Sequence, residues 1–364
     1  MGMNYGKLNE DVYGRSVVKV MKETQNKNFY NGAEIGDFCA VFPCGGHAGA
    51  DRPAKGFISA QASAGGKNAV IRSYEAALNG IVSKGVVPGK DDNAYASITL
   101  FIPKKLREAK VRAMLAETAK RAGELQIPVL GVAVQVLPWV DVETANCVVH
   151  MELDGKAKGK GASPGDDIVM TKWIGLEGTA LIARSSRDRL RERYPSDIVE
   201  TAAGFLDDIS VLPEAATAVE SGASDMQAVR EGGLFGGLWE LAAKNSVGLV
   251  ADLKRIPVRQ ETIEVCEYFD LNPYELMAAG SLLITCPRGN SMVKALADRG
   301  IASAVIGTVT QGNDRIVRHA DESRFLEPVR GDELYRYYEK KDGKEHSYEN
   351  EGADFSDYRK EQQN

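Results

Sequence analysis

DMQAVREGGLFGGLWELAAKNSVGLVAD, residues 225–252, is the stretch from which the fold is read. A polar segment runs into two glycines, Gly232 and Gly233, and apolar residues follow at Leu234, Leu238, Leu241 and Ala242. That three- and four-residue spacing is the period of a helix with one buried face. Glycines just ahead of a helix let backbone come close to a ligand, and the first turn's free N–H groups suit a phosphate. The same letters also describe a glycine-rich turn feeding an ordinary core helix. The stretch alone leaves both open.

Around it lies a chain of 364 residues, long enough that two domains are the default. Apolar content of 43% and charged content of 26% are ordinary for a globular protein. A net charge of -6, with no long Lys/Arg block, argues against nucleic acid as partner. There is no run of about 18 or more apolar residues, so no membrane span is expected. The start, MGMNYGKLNEDVYGR, lacks the regions of a signal peptide. Five scattered cysteines, Cys39, Cys44, Cys147, Cys266 and Cys286, read as reduced thiols. A cytoplasmic protein is expected.

Taken in order, residues 34–66 read as a short apolar strand and a Gly/Ala-rich loop, either a phosphate wrap or a surface connection. A helix is expected over 68–85, a strand over 95–102, and an amphipathic helix over 104–126. A buried strand is expected at 129–138 and a further apolar segment runs over 146–153. DGKAKGKGASPGDD, 154–167, looks like a crossing between domains. Strand, Gly turn and helix follow in DIVMTKWIGLEGTALIARSS, with further helices near 197–206, 213–221 and 290–299. SLLITCP and ASAVIGTV read as strands, the latter closing the folded part. From 331 the chain is polar and charged, as in a partly ordered or disordered tail. The irregular alternation favours α+β. The expected division is 1–153, 154–330 and a tail over 331–364.

The order PGDDIVMTKWIGLEGTALIAR, MQAVREGGLFGGLWELA, IPVRQETIEVCEYFDLNPYELMAAGSLLITC, AVIGTV resembles the second half of the aminoimidazole ribonucleotide (AIR) synthase-like superfamily, in particular its hydrogenase maturation HypE branch. EIGDFCAV, ALNGIVSKGVVP and VLGVAVQV are similar to first-half motifs in the same register. The resemblance implies a two-domain α+β fold that forms a homodimer through the first domain's sheet. It also implies ATP in a groove between the domains, with magnesium held by aspartates.

Here the chain departs from that pattern. Phe38, Gly80, Val132 and Ala228 stand where aspartates are expected, and Gln61 replaces a further one. A polyphosphate carries about four negative charges that backbone N–H groups alone do not cancel, which is why the family needs carboxylate-bound metal. Losing so many aspartates leaves magnesium open and implies altered or lost ATP chemistry. The HypE branch also ends in a reactive cysteine, whereas this chain ends in EQQN.

Candidate ligand- or phosphate-binding residues are Asp37, His47, Lys67, Asn79, Thr171, Gly175, Gly178, Arg230, Gly232 and Gly233, with Asp37 the candidate metal ligand. Each has a plain structural alternative: a turn aspartate, a solvated histidine, a glycine required by packing. Lys67 and Arg52 can supply positive charge in place of metal. Three readings follow: a phosphorylated-ligand binder with altered catalysis, an ATP-dependent enzyme with relocated ligands such as Asp37, Asp91 or Asp92, and a dimeric scaffold whose groove is filled by side chains.

Overall fold

The structure, a computed structural model, describes residues 13–19, 39–43, 55–88, 93–154, 160–320 and 322–345. Two sheets organise it. The first half forms β1 (Cys39–Pro43), β2 (Lys55–Gly65), β3 (Ala94–Ile102), β4 (Val129–Val136) and β5 (Thr144–Asp154), in the order β1-β2-β5-β3-β4. All pairs are antiparallel except β3 with β4.

The expected Gly/Ala loop is corrected here, because residues 55–65 are a full strand. Alanine and serine have weak strand propensity in isolation, but β2 is paired along both edges. Its Ile58, Ala60 and Ala64 are buried. Small inward residues let helix α1 (Ala69–Val82) lie close on the sheet. That helix points Val70, Tyr74, Leu78 and Ile81 inward, an i, i+4, i+8, i+11 row, onto Ile98, Leu100, Cys147 and Val149. Burying Leu78 or Ile81 there contributes about 1.5–3 kcal/mol each. Gly85, with φ +77, ends the turn after the helix as the spacing predicts. Helix α2 (Glu108–Leu125) buries only Met114, Thr118 and Ala122.

The second half builds β6 (Asp167–Thr171), β7 (Asp225–Ala228), β8 (Gly248–Asp252), β9 (Leu282–Cys286), β10 (Ser303–Thr310), β11 (Arg315–His319) and β12 (Glu322–Phe325). Their order is β12-β11-β8-β10-β6-β9-β7. Its helices are α3 (Leu176–Ser185), α4 (Arg187–Arg191), α5 (Ser196–Gly204), α6 (Leu212–Glu220), α7 (Gly233–Asn245), α8 (Gln260–Phe269), α9 (Gly289–Ala297) and α10 (Glu333–Glu345). The fold is α+β, as expected. ASAVIGTV does not close it: the β11–β12 hairpin extends the sheet and α10 docks beyond it. The charged tail is ordered over 332–345, the partly ordered alternative, for a physical reason. Leu334 and Tyr337 are buried among α3, α5 and α8, apolar anchors hidden in a charged stretch.

One hydrophobic cluster spans both halves, joining Leu78 and Val149 to Val211, Ala215, Ile284 and Met292. Among the described residues no helix is long and apolar enough to cross a membrane. Cys147, Cys266 and Cys286 are free, buried thiols. The strand expected to be buried at 129–138 is corrected: β4 is a sheet edge with one face uncovered, and on it and the turn after it Leu130, Val132, Val134, Val136, Trp139 and Val142 are exposed, Trp139 by 76%.

Candidate functional site

The glycines that single out this chain converge on one segment. Gly175 and Gly178 open α3, and Gly232 and Gly233 open α7. A Cβ at Gly178 would stand 2.5 Å from Leu276, and one at Gly233 2.5 Å from the carbonyl oxygen of Tyr274. At Gly175 it would meet Thr262 and Leu276. Residues 273–277 therefore thread between the starts of two helices, and only glycine leaves them room. Backbone bonds fix the crossing: the Gly178 amide donates to Met277 O at 2.8 Å, and the Phe235 amide to Tyr274 O at 3.1 Å. The close approach that the sequence suggests is made, but by the chain itself.

The anion at the start of α7 is likewise internal. Asp332, just ahead of α10 and 4% exposed, accepts from the Gly232 amide at 2.7 Å through Oδ2. Its Oδ1 accepts from the Met277 and Leu334 amides at 3.1 and 2.8 Å. Burial pushes its pKa up to about 7, while the three amides pull it down and Glu231 adds to the rise. The Gly233 amide turns back to Arg230 O. A helix end suited to a phosphate is thus capped by a carboxylate from residue 332.

Beside this loop, a cavity of about 250 Å³ opens between the two halves. Gln61 and Ser63 of β2, Asn79, Gly80, Ser83 and Lys84 of α1 and its end, and Gln227 to Glu231 form its walls. Three of the positions at which aspartates are expected, Gln61, Gly80 and Ala228, line this one space. A fourth, Val132, does not: it is exposed on β4. Phe38 lies outside the described residues. Glu231 accepts from the Tyr335 hydroxyl at 2.7 Å, and Glu240 accepts from Gln227 at 3.0 Å. A larger cleft of about 500 Å³ between α1, α2 and residues 206–210 has its walls tied together. There Arg121 bonds Glu75 and Ser210, and Asn68 joins Glu117 to Arg184.

A buried charge cluster reaches the 250 Å³ cavity through Arg230, while its Arg72 lines the larger cleft. Glu177, 1% exposed, accepts from Arg72 Nε at 2.7 Å and lies 3.6 Å from Arg230 Nε. Burial alone would raise the Glu177 pKa; the charges and hydrogen bonds of Arg72 and Arg230 outweigh it and hold the carboxyl below its ordinary value. Arg72 also donates to Gly65 O, and Arg230 Nη2 donates to Ser63 O at 2.8 Å. Both arginines thus tie the second half to β2.

The candidate residues separate accordingly. Asn79 and Arg230 line the cavity. Asn79 also donates to Ile209 O and accepts from the Val211 amide, locking α1 to that loop. Thr171 is fully buried and accepts from the Leu282 amide, a strand-end role. Lys67 is exposed and donates to Arg184 O, away from the cavity. Gly175, Gly178, Gly232 and Gly233 serve the threaded segment. Asp37, His47, Arg52, Asp91 and Asp92 lie outside the described residues. Sequence reading missed Arg72, Glu177 and Asp332. Glu177 carries a signal, a lone acid in an otherwise apolar helix start; Arg72, with Glu75 and Asn79 on the same helix, and Asp332 carry none.

The donor set bears on magnesium. Among the described residues no group of three or more His, Cys, Asp or Glu is placed to hold a metal ion. Magnesium is octahedral and keeps several waters, so it needs one or two free carboxylates away from competing cations. The cavity offers Glu231 and Glu240, both already hydrogen-bonded, beside Arg230 and Lys84. The described residues do not fit that ion.

Comparison with known proteins accords with this architecture. Residues 163–320 match the family described as AIR synthase related protein, C-terminal domain. Carbamoyl dehydratase HypE of Rhizobium leguminosarum bv. viciae is 24% identical over 275 residues, 71% of this chain and 74% of that protein. Carbamoyl dehydratase HypE of Azotobacter vinelandii is 29% identical over 188 residues, 49% of this chain. That match spans only 52% of the Azotobacter protein. Among solved structures, hydrogenase maturation protein HypE in complex with ATP superposes with a TM-score of 0.63 at 18% identity, over 92% of this chain and 98% of that one.

Proposed function

We propose that this AIR synthase-like, HypE-similar protein binds a nucleotide or another phosphorylated small molecule in the cavity between its halves, and that the ATP chemistry of its relatives is altered or lost. One observation carries the reading: Gln61, Gly80 and Ala228, where the family pattern expects aspartates, face a single cleft that still exists. A groove abandoned altogether would be expected to fill with apolar side chains. This one keeps Gln61, Ser83, Lys84, Gln227 and Arg230 around it. The ATP complex of a HypE of the same fold supports a nucleotide as the first ligand to try.

The protein acts as a homodimer in this reading. The parallel edge strand β4 exposes Leu130, Val132, Val134 and Val136 side by side, and an uncovered apolar edge of that kind invites pairing with a second copy. Residues 1–153 and 154–330 are its two domains, with the cleft between them.

Isothermal titration of ATP and ADP into the purified chain, with and without magnesium, tests the reading. Micromolar binding that requires magnesium would mean a rebuilt metal site and would overturn the altered chemistry. Binding indifferent to magnesium supports the proposal. No heat from either nucleotide or from simpler phosphates would leave a scaffold.

A further inference from the structure

We infer that Arg230 is a resident cation standing in for the family's metal ion, so that the cleft holds a small phosphate monoester directly on a guanidinium. The inference rests on the reading of this cleft as a phosphorylated-ligand site. It begins from the mismatch between the donor set and magnesium.

Position comes first. Arg230 follows Ala228 on the loop out of β7 and reaches across to β2, where Nη2 donates to Ser63 O at 2.8 Å. Its side chain thus spans the wall between Gln61 and Ala228, two of the positions that lack carboxylates.

Charge comes second. Arg72 and Arg230 share one carboxylate, Glu177, so the cluster carries one cation in excess. Arg72 is spent: it is 4% exposed and bonds Glu177, Gly65 O, Lys67 O and the sulfur of Met277. Arg230 is not. Its Nε is buried 3.6 Å from Glu177 and its Nη2 donates to Ser63 O, but the side chain is 18% exposed and lines the cavity. A guanidinium is permanently charged, and the part of it that faces the cavity can donate to a phosphate oxygen.

The neighbouring helix end is closed to an anion, because the Gly232 amide is held by Asp332. Arg230 is therefore a fixed cation at the cleft in place of both metal and loop amides.

The rest of the wall narrows the ligand. Glu231 and Glu240 also line the cavity and offset Arg230 and Lys84, so without metal a polyanion gains no net attraction there. About 250 Å³ is below the usual range for nucleotide-sized ligands. The chemistry fits a monoester whose other end carries hydroxyl or amino donors for those acids.

The test is isothermal titration of inorganic phosphate, phosphoserine and ATP, each in EDTA and in magnesium, into the full chain and into Arg230→Gln and Arg230→Lys. Thermal melting verifies that each variant is folded. Phosphoserine is expected to bind equally in EDTA and magnesium, Arg230→Gln to weaken it about tenfold or more, and Arg230→Lys to restore part of it. If Arg230→Gln does not fold, Ala228→Asp replaces it: a carboxylate in the same cavity should weaken phosphoserine by a similar factor, and unchanged binding overturns the inference. Magnesium-dependent ATP binding that survives Arg230→Gln also overturns it, while leaving a phosphorylated-ligand cleft. No binding of any probe overturns both.

Discussion

The Asp332 carboxylate receives the Gly232 amide at 2.7 Å, across 100 residues of sequence, and so joins the segment before α10 to the glycine turn of α7. Replacing Asp332 by Ala leaves the amides of Gly232, Met277 and Leu334 without their acceptor. Each unpaired buried amide costs about 1–3 kcal/mol, less whatever water restores. Asp332→Ala should therefore lower the unfolding free energy by about 3 kcal/mol in urea, whereas Asp332→Asn, which keeps one acceptor, should lose less.

The same carboxyl gives a pH signature. Burial raises its pKa from 3.8 to about 7, so the folded chain holds this proton more tightly than the unfolded one. The stability linked to it is fully present below pH 3.8 and is lost as pH rises through about 7. Thermal melts of wild type across that window should carry this falling component, and it should be missing from Asp332→Asn.

Glu177 slopes the other way. Arg72 and Arg230 hold its carboxyl below the ordinary value despite burial, so its contribution is present above the unfolded pKa and lost as pH falls through the lower folded one. Arg72→Ala strands Glu177 with only Arg230 at 3.6 Å, and removal of a buried ion-pair partner costs about 3–5 kcal/mol. Urea unfolding of Arg72→Ala, Glu177→Gln and the double variant checks this. A double variant close to the sum of the singles would deny the coupling.

Gly233→Ala places a methyl 2.5 Å from Tyr274 O at a backbone φ of +59. We expect it to cost about 3 kcal/mol or more, the upper range for strain combined with overpacking. Gly222→Ala, also at positive φ but with nothing within 4 Å of its Cβ, should cost only about 1 kcal/mol. Equal melting temperatures for the two would show that the threaded segment is not what requires Gly233.

Val134→Glu places a charge in the exposed apolar row of β4. Light scattering should find wild type as a dimer and the variant as a monomer with an unchanged melting curve at low concentration. A wild-type monomer would remove the dimer from the proposed function.

Most helices and strands were legible because their signals are local. Val70, Tyr74, Leu78 and Ile81 mark α1 by spacing alone, and Gly85 marks its end. Expectations failed where the signal was weak: β2 is rich in Ala and Ser and owes its strand to pairing on both sides, and the β11–β12 hairpin carries the sheet past ASAVIGTV; the ordered part of the tail, α10, hides Leu334 and Tyr337 among charges. The cleft was half legible. The departures at Gln61, Gly80 and Ala228 are visible in the sequence, but Val132, a departure of the same kind, stands elsewhere.

The sequence by itself determined the α+β class, the order of most elements and the run of missing carboxylates, since residue identity and apolar period are properties of neighbouring letters. Only the tertiary structure decided what the glycines and charges do. Gly233 makes room for Tyr274, Gly232 donates to Asp332, and Glu177 gathers Arg72 and Arg230. A hydrogen bond or an ion pair is set by distance in space, and the chain's return path, fixed by burial of apolar faces, is what brings such residues together.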